Sequence, residues 1–427
     1  MNIIEELKWR GLFNDKIKGT TEYLKNNPGA SVYIGFDPTA SSLGIGNLVQ
    51  IILLKHFLNH GFKPIVLLGG ATGMIGDPSG KSAERNLLSE EDLFNNVEQF
   101  KAQMNKFLEF GEGAGKATLV NNYDWYKNIN ILRFLRDVGK HLTVNYMSAK
   151  DSVKSRLETG ISYTEFSYQL LQAYDFYHLA ETKNCFFQMG GSDQWGNITS
   201  GIELIRRMSG KQAFGLTSPL VTKTDGSKFG KSEEGNLFLS PKLTSPYKFY
   251  QFWLNLSDED AEKMIKIFTF YDKEKIESLI STHQEAPHLR SLQKELAKEI
   301  TTFVHSAEDY NNAVNASEIL FGKSTSHALS DIPEQTFLDV FEGVPKSIIS
   351  EDLFSGEGVD IGSLLVEHTN IYDSKGSLKR DIKNNALSIN KEKQQSAEKK
   401  INSDSFINDK YLLIQKGKKN FNLIVKA

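Results

Sequence analysis

The chain reads as an α/β protein built on a doubly wound parallel sheet, followed by an α-helical region and a small basic α+β unit. Three observations carry that reading. Ser31–Phe36 has the composition of a buried strand, Asp37-Pro38 marks a turn, a helical pattern runs from about Asn47 to Asn59, and Lys63–Gly69 is a second strand. That is a βαβ unit, whose parallel strands take ligands at their C-terminal ends. From Ser257 to Phe321 apolar residues recur at helical spacing among many charges and little glycine. From about Val359 a basic segment ends in an expected hairpin, Tyr411–Ile414 and Phe421–Val425 around the lysine-rich turn Lys416–Lys419.

The bulk numbers exclude several classes. A chain of 427 residues is long enough for two or three domains. Its one cysteine, Cys185, rules out an intrachain disulfide and a CxxC zinc site. Cys185 lies in an expected strand, Asn184–Phe187, and reads as a buried inert thiol. The N-terminus has no apolar leader pattern, and no run approaches the roughly 18 apolar residues of a membrane span. The expectation is a cytoplasmic protein with no membrane contact. A net charge of −3 argues against a nucleic-acid binder, yet residues 374–427 hold 13 Lys/Arg against 5 Asp/Glu, a local net of +8. Such clustering is the footprint of a phosphate-backbone binder. Lys375, Lys379, Arg380 and Lys383 are its candidates, the last three sharing a helix face at i, i+1, i+4.

Tyr163–Leu179 is a strong helix. Ser162 and Glu165 form a capping-box pattern, and Phe166, Leu170, Ala173 and Tyr177 make a core-facing stripe. Tyr168, Gln172 and Asp175 fall on the opposite face. A polar face of this kind is as a rule solvated, but a phenol, an amide and a carboxylate also suit an amino-acid ligand. The helix is followed by Gln188-Met189-Gly190-Gly191-Ser192-Asp193-Gln194-Trp195-Gly196-Asn197, a glycine pair flanked by acceptors. Glycine there admits close backbone approach to a ligand. Two nucleotide motifs fail. Gly44-Ile45-Gly46 lacks the third glycine of a dinucleotide fingerprint, since Val49 stands there. Gly76–Ser82 is one residue short of a P-loop, and Pro78 removes a backbone donor.

Asp37–Leu48 reads as a strand-to-helix turn, and Lys228-Phe229-Gly230-Lys231-Ser232 as a basic loop. A helix N-terminus offers unpaired N–H groups to phosphate, and two lysines three apart can neutralise a leaving pyrophosphate. These segments resemble the HIGH and KMSKS signatures of class I aminoacyl-tRNA synthetases. Together with Tyr33–Thr39, Gly76–Gly80, Tyr168-x-x-x-Gln172-x-x-Asp175 and Gly191–Asn197, in that order and spacing, the chain resembles the bacterial tyrosyl-tRNA synthetases from about Ser31 to its C-terminus.

The resemblance implies a Rossmann-like catalytic domain over 1–220 with a dimer-forming insertion, a signature loop over 221–245, an α-helical domain over 246–321, a connector over 322–358 and an RNA-binding domain over 359–427. It implies a tyrosine–tRNA ligase using ATP as substrate, Mg²⁺ carried by the ATP, no protein-bound metal, tRNA(Tyr) as acceptor and a homodimer joined through Ile129–Tyr146. Tyr33 and Asp175 would bind the substrate phenol; Asp77, Tyr168 and Gln172 its ammonium group; Gln188 lies in the same set. Gly35, Asp37, Gly46, Gly191, Asp193 and Gln194 would line the nucleotide. Thr39, Lys81, Arg85, Lys228 and Lys231 would contact the outer phosphates, with Asn47 as a further donor. One departure stands out: the first signature carries His at the position of Gly44. Its loss supports a rival reading, a non-catalytic RNA-binding descendant of such an enzyme, which the intact Asp77, Asp175, Lys228 and Lys231 oppose. A tryptophan-specific enzyme is a third reading, disfavoured because the Tyr33/Asp175 pair suits a phenol better than an indole.

Overall fold

The computed structural model describes residues 2–79, 88–157, 160–232, 235–321, 333–342, 344–417 and 420–427. Contacts divide the chain into two units, Met1–Thr244 with Phe252–Val304, and Ser245–Gln251 with His305–Ala427.

The first unit is built on a six-stranded sheet. Its strands are β1 (Asp15–Lys16), β2 (Ser31–Phe36), β3 (Lys63–Leu68), β4 (Thr118–Asn121), β5 (Phe187–Gly191) and β6 (Phe214–Ser218), in the spatial order β1-β6-β5-β2-β3-β4. All neighbours are parallel except the edge pair β1–β6. From β2 the chain winds outward through β3 and β4, then returns to β5 on the other side of β2 and continues to β6. The β2/β5 junction is therefore a topological switch point, where a crevice opens at the strand C-termini.

Helix α1 (Ile45–Asn59) connects β2 to β3, confirming the βαβ unit. Helix α2 (Glu90–Phe107) is capped by Ser89, whose side chain accepts the Asp92 N–H. Helix α3 (Tyr163–Lys183) begins as expected: the Ser162 hydroxyl accepts the Glu165 N–H at 3.2 Å. The other half of the capping box is absent. The Glu165 carboxylate instead pairs with Arg156 at 3.0 Å, and both side chains are buried. An arginine close by in sequence outcompetes the N-cap amide because a buried carboxylate needs a charged partner. α3 ends at Asn184 in the left-handed conformation (φ 51°). The expected strand around Cys185 starts later, at Phe187. Cys185 itself is buried, with its thiol pushed up to about 12 by burial. Helices α4 (Trp195–Ser209) and α5 (Asp258–Phe268) complete the elements that frame the site.

The second unit carries a five-stranded sheet of β7 (Lys346–Ile349), β8 (Leu387–Ile389), β9 (Glu392–Lys393), β10 (Tyr411–Lys416) and β11 (Asn420–Lys426), ordered β9-β8-β10-β11-β7. The expected hairpin is β10–β11. The stretch read as a connector contributes β7, paired parallel to β11, and a helix at Glu334–Val340. Leu378 and Ile382 of helix α6 (Lys375–Lys383) join a core with Leu364, Tyr372, Leu412 and Ile424. Among the described residues no helix is long and apolar enough to cross a membrane.

Candidate functional site

A cavity of about 660 Å³ opens at the switch point. Tyr33, Gly35, Asp37, Thr39, Gly46, Asn47, Asp77, Tyr168, Gln172, Asp175, Gln188, Gly191, Asp193, Gln194 and Lys228 all line it. These residues come from β2 and the turn after it, the start of α1, the loop after β3, α3, β5 and its exit, and the basic loop. Lys81 and Arg85 lie outside the described residues, as does the side chain of Lys231.

The deep end is built on the face of α3 that a surface helix would expose. Tyr168 and Asp175 are buried there, so the polar face points inward as the apolar stripe does. Tyr33 and Gln188 are register partners across β2 and β5, which brings a phenol and an amide to the same level. Tyr33 is 1% exposed and packs on Phe176 of α3 at 5.2 Å between ring centroids. Its hydroxyl is buried with no hydrogen-bond partner among the described residues, as are Oε1 of Gln172 and Oε1 of Gln188. Buried polar atoms are ordinarily paired, so unpaired ones converging on a cavity mark where ligand polar groups belong.

Asp175 accepts from Nδ2 of Asn122 at 3.0 Å and from the indole N–H of Trp125 at 2.9 Å. Burial, aided by Asp37, pushes its carboxyl up to about 7, and those two hydrogen bonds pull the other way. Burial and the neighbouring carboxylates hold the Tyr33 and Tyr168 phenols well above their ordinary value, so both remain donors. No sequence pattern points to Asn122 or Trp125, which lie about fifty residues from Asp175 on the segment after β4.

Nearer the mouth the acidic and amide groups form one network. Tyr168 donates to Asp37 Oδ2 at 2.7 Å, and Thr72 donates to Asp37 Oδ1 at 2.7 Å. Asp77 accepts from the Ser79 N–H at 2.9 Å and from Gln194 Nε2 at 2.7 Å. Gln194 Oε1 in turn accepts from Gln172 at 3.3 Å and Asn197 at 3.1 Å. The residues expected at the amino acid and those expected at the nucleotide are thus hydrogen-bonded to one another. Burial and Asp77 raise the Asp193 carboxyl, while Gln194 and Lys228 oppose the shift.

The two signature segments are joined at the cavity rim. Gly44 caps α1 and donates its N–H to Asn47 Oδ1 at 2.9 Å. The Leu237 carbonyl accepts from the Ile45 N–H at 3.3 Å, and the Leu237 N–H donates to the Gly230 carbonyl at 2.8 Å. Gly230 has φ +84°, and a Cβ there would come within 2.8 Å of Cβ of Ile45. Glycine is required on both counts. Phe229 is buried against Phe252, Trp253 and Phe268. The hairpin before it docks on α5, with Asp260 accepting the Thr224 N–H at 2.8 Å and Lys263 donating to the Thr222 carbonyl at 2.6 Å.

Lys375, Lys379, Arg380 and Lys383 are exposed on α6, opposite the buried Leu378 and Ile382; Lys375 pairs with Glu367 at 2.6 Å.

Residues 25–322 match the family model described as tRNA synthetases class I (W and Y), and residues 336–424 match that of the tyrosine–tRNA ligase SYY-like C-terminal domain. The chain is 56% identical over 430 residues to the tyrosine–tRNA ligase of Bacteroides thetaiotaomicron, with 100% of each chain covered. It is 58% identical over 425 residues to that of Cytophaga hutchinsonii, with 99% of each covered. The crystal structure of a C-terminally truncated mitochondrial tyrosyl-tRNA synthetase from Aspergillus nidulans superposes with a TM-score of 0.67 at 27% identity, over 75% of this chain and 94% of that one. A switch-point cavity lined by both signature segments, in a chain alike to these enzymes from end to end, places it in one family: the chain belongs to the class I tRNA synthetases of the tryptophan and tyrosine group, as a member of the tyrosine–tRNA ligases.

Proposed function

We propose that the chain activates L-tyrosine with ATP, giving tyrosyl-adenylate and pyrophosphate, and then transfers the tyrosyl group to the 3′ end of tRNA(Tyr). The observation that carries this reading is the deep end of the cavity, where an unpaired buried Tyr33 hydroxyl and the Asp175 carboxylate converge. A substrate phenol satisfies both, as acceptor for one and donor to the other. Phenylalanine leaves the Tyr33 hydroxyl unpaired and offers Asp175 no donor beyond Asn122 and Trp125, and a site built to pair a hydroxyl rejects an analogue that lacks it.

In the first step a tyrosine carboxylate oxygen bonds to the α-phosphorus, the bond to the bridging oxygen breaks, and pyrophosphate leaves with the electron pair. In the second, a terminal ribose hydroxyl of the tRNA attacks the tyrosyl carbonyl and AMP leaves. No protein nucleophile is needed; the chain's contribution is positioning and stabilisation of developing charge. Asp77, Tyr168, Gln172 and Gln188 hold the amino-acid end. Gly35, Asp37, Gly46, Gly191, Asp193 and Gln194 receive adenosine. Thr39, Asn47, Lys81, Arg85, Lys228 and Lys231 face the phosphates, with Mg²⁺ entering on ATP. Lys375, Lys379, Arg380 and Lys383 contact tRNA phosphates. The exposed Ile131, Leu132, Leu135 and Val144 support a homodimer through this region. The five-part domain division and a cytoplasmic location belong to the same proposal.

The test is tyrosine-dependent ATP–pyrophosphate exchange by the purified chain, with phenylalanine and tryptophan as controls. Exchange with tyrosine alone is expected. Exchange with tryptophan but not tyrosine would overturn the pocket assignment, and no exchange with any of the three would favour the RNA-binding reading.

A further inference from the structure

We infer that Ser42 and Gln103 are positioning residues that tether the return segment of the basic loop to the first signature. The inference rests on the ligase reading for its catalytic consequence. Neither side chain lines the cavity. Ser42 is 3% exposed in the turn before α1. Its hydroxyl accepts the Ser240 N–H at 3.0 Å, and its one proton is shared between two acceptors, the Leu43 carbonyl at 2.9 Å and Oε1 of Gln103 on α2 at 3.0 Å. The same Gln103 oxygen accepts the Leu43 N–H at 3.2 Å. The Leu239 N–H donates to the Leu43 carbonyl at 2.8 Å. Through Gln103, α2 thus holds the Ser42–Leu43 turn, and Ser42 holds Ser240.

The consequence follows from the order of bonds along the rim. From Ser240 back to Leu237 the segment lies against Leu43–Ile45, and the Leu237 N–H holds the Gly230 carbonyl. Gly230 lies directly before Lys231 and two residues after Lys228. Freeing Ser240 therefore loosens the lysines relative to α1 without touching Tyr33 or Asp175. A half-buried N–H deprived of its acceptor loses one hydrogen bond, so releasing the tether shifts the local opening equilibrium by about fivefold.

Ser42→Ala removes the hydroxyl. Gln103→Ala removes its anchor at a partly exposed helical position, where alanine preserves the helix. Two readouts are taken on the full chain: native-state tryptic cleavage after Lys231 and Lys242, which flank the tether, and pyrophosphate exchange. Both variants should be cleaved about fivefold faster at these sites and have lower kcat, with KM for tyrosine unchanged. Unchanged cleavage in both variants would overturn the inference. So would a tyrosine KM that rises with the cleavage rate, since that is general loosening. A parent chain inactive in exchange would sink the ligase reading, while the cleavage comparison would still decide the tether.

Discussion

Gly44→His adds an imidazole where the family signature carries one. The backbone accepts it. Gly44 is extended (φ −112°, ψ −177°), and a Cβ there meets only the Leu237 carbonyl, at an ordinary 3.5 Å. The side chain would enter at the N-terminus of α1, beside Asn47 and the positive end of the helix dipole. Replacing glycine at an N-cap by a weaker capping residue costs about 1 kcal/mol or less, a fall in Tm of a few degrees at most for a unit of this size. A preorganised donor aimed at transition-state charge is worth about 10²–10³ in rate. The two effects have opposite signs, which makes the variant informative: kcat for pyrophosphate exchange should rise by about 10²–10³ while Tm falls slightly. KM for tyrosine should stay constant, because Tyr33 and Asp175 lie at the other end of the cavity. A folded variant that binds tyrosine normally yet exchanges no faster would refute the reasoning, and would mean that Asn47 and the helix N-terminus already supply the donors.

Other substitutions separate the parts of the site. Asp175→Ala should abolish tyrosine activation and leave the circular dichroism spectrum intact; a normal kcat/KM for tyrosine would remove Asp175 from the pocket. Because the Asp175 carboxyl is raised to about 7, tyrosine affinity measured by equilibrium dialysis should weaken up to tenfold per pH unit below about 7 and level off above it. In the ligand-free protein the same group contributes stability that is fully present below pH about 4 and is lost as pH rises through about 7. Gly230→Ala should cost about 2–4 kcal/mol locally, from a left-handed backbone and the contact with Ile45, and appear as a lower exchange kcat. Replacing Lys379, Arg380 and Lys383 together by alanine should weaken tRNA binding and flatten its salt dependence by about 2–3 units of slope, with pyrophosphate exchange unaffected.

Much of this molecule was legible in its sequence because the signals were local. Ser31–Phe36 and Tyr163 as a helix start are fixed by composition and capping within a few residues. The failures have a common cause. Glu165 has the spacing of half a capping box, and nothing in the sequence signals its pairing with the competitor, Arg156. The polar face of α3 has the pattern of a solvated helix, and only the sheet above it turns that face into a binding wall. Asn122 and Trp125 meet Asp175 from the segment after β4, about fifty residues away, and no spacing rule reaches them. β7 is a short edge strand whose parallel partner lies more than seventy residues later, so its pairing has no period to detect.

That late pairing fixes where the polypeptide can be cut. β11 holds its register with β7, and the helix at Glu334–Val340 sends Glu334 to accept from the Tyr411 hydroxyl at 2.6 Å and packs Phe337, tilted, against the Tyr411 ring. A fragment begun at Val359, where the basic composition starts, would keep its lysines but bare the edge of β11 and strip one side of Tyr411. An excised RNA-binding module must therefore be begun ahead of Pro333. The stretch that looks like a tether in the sequence is, for any such dissection, part of the cargo.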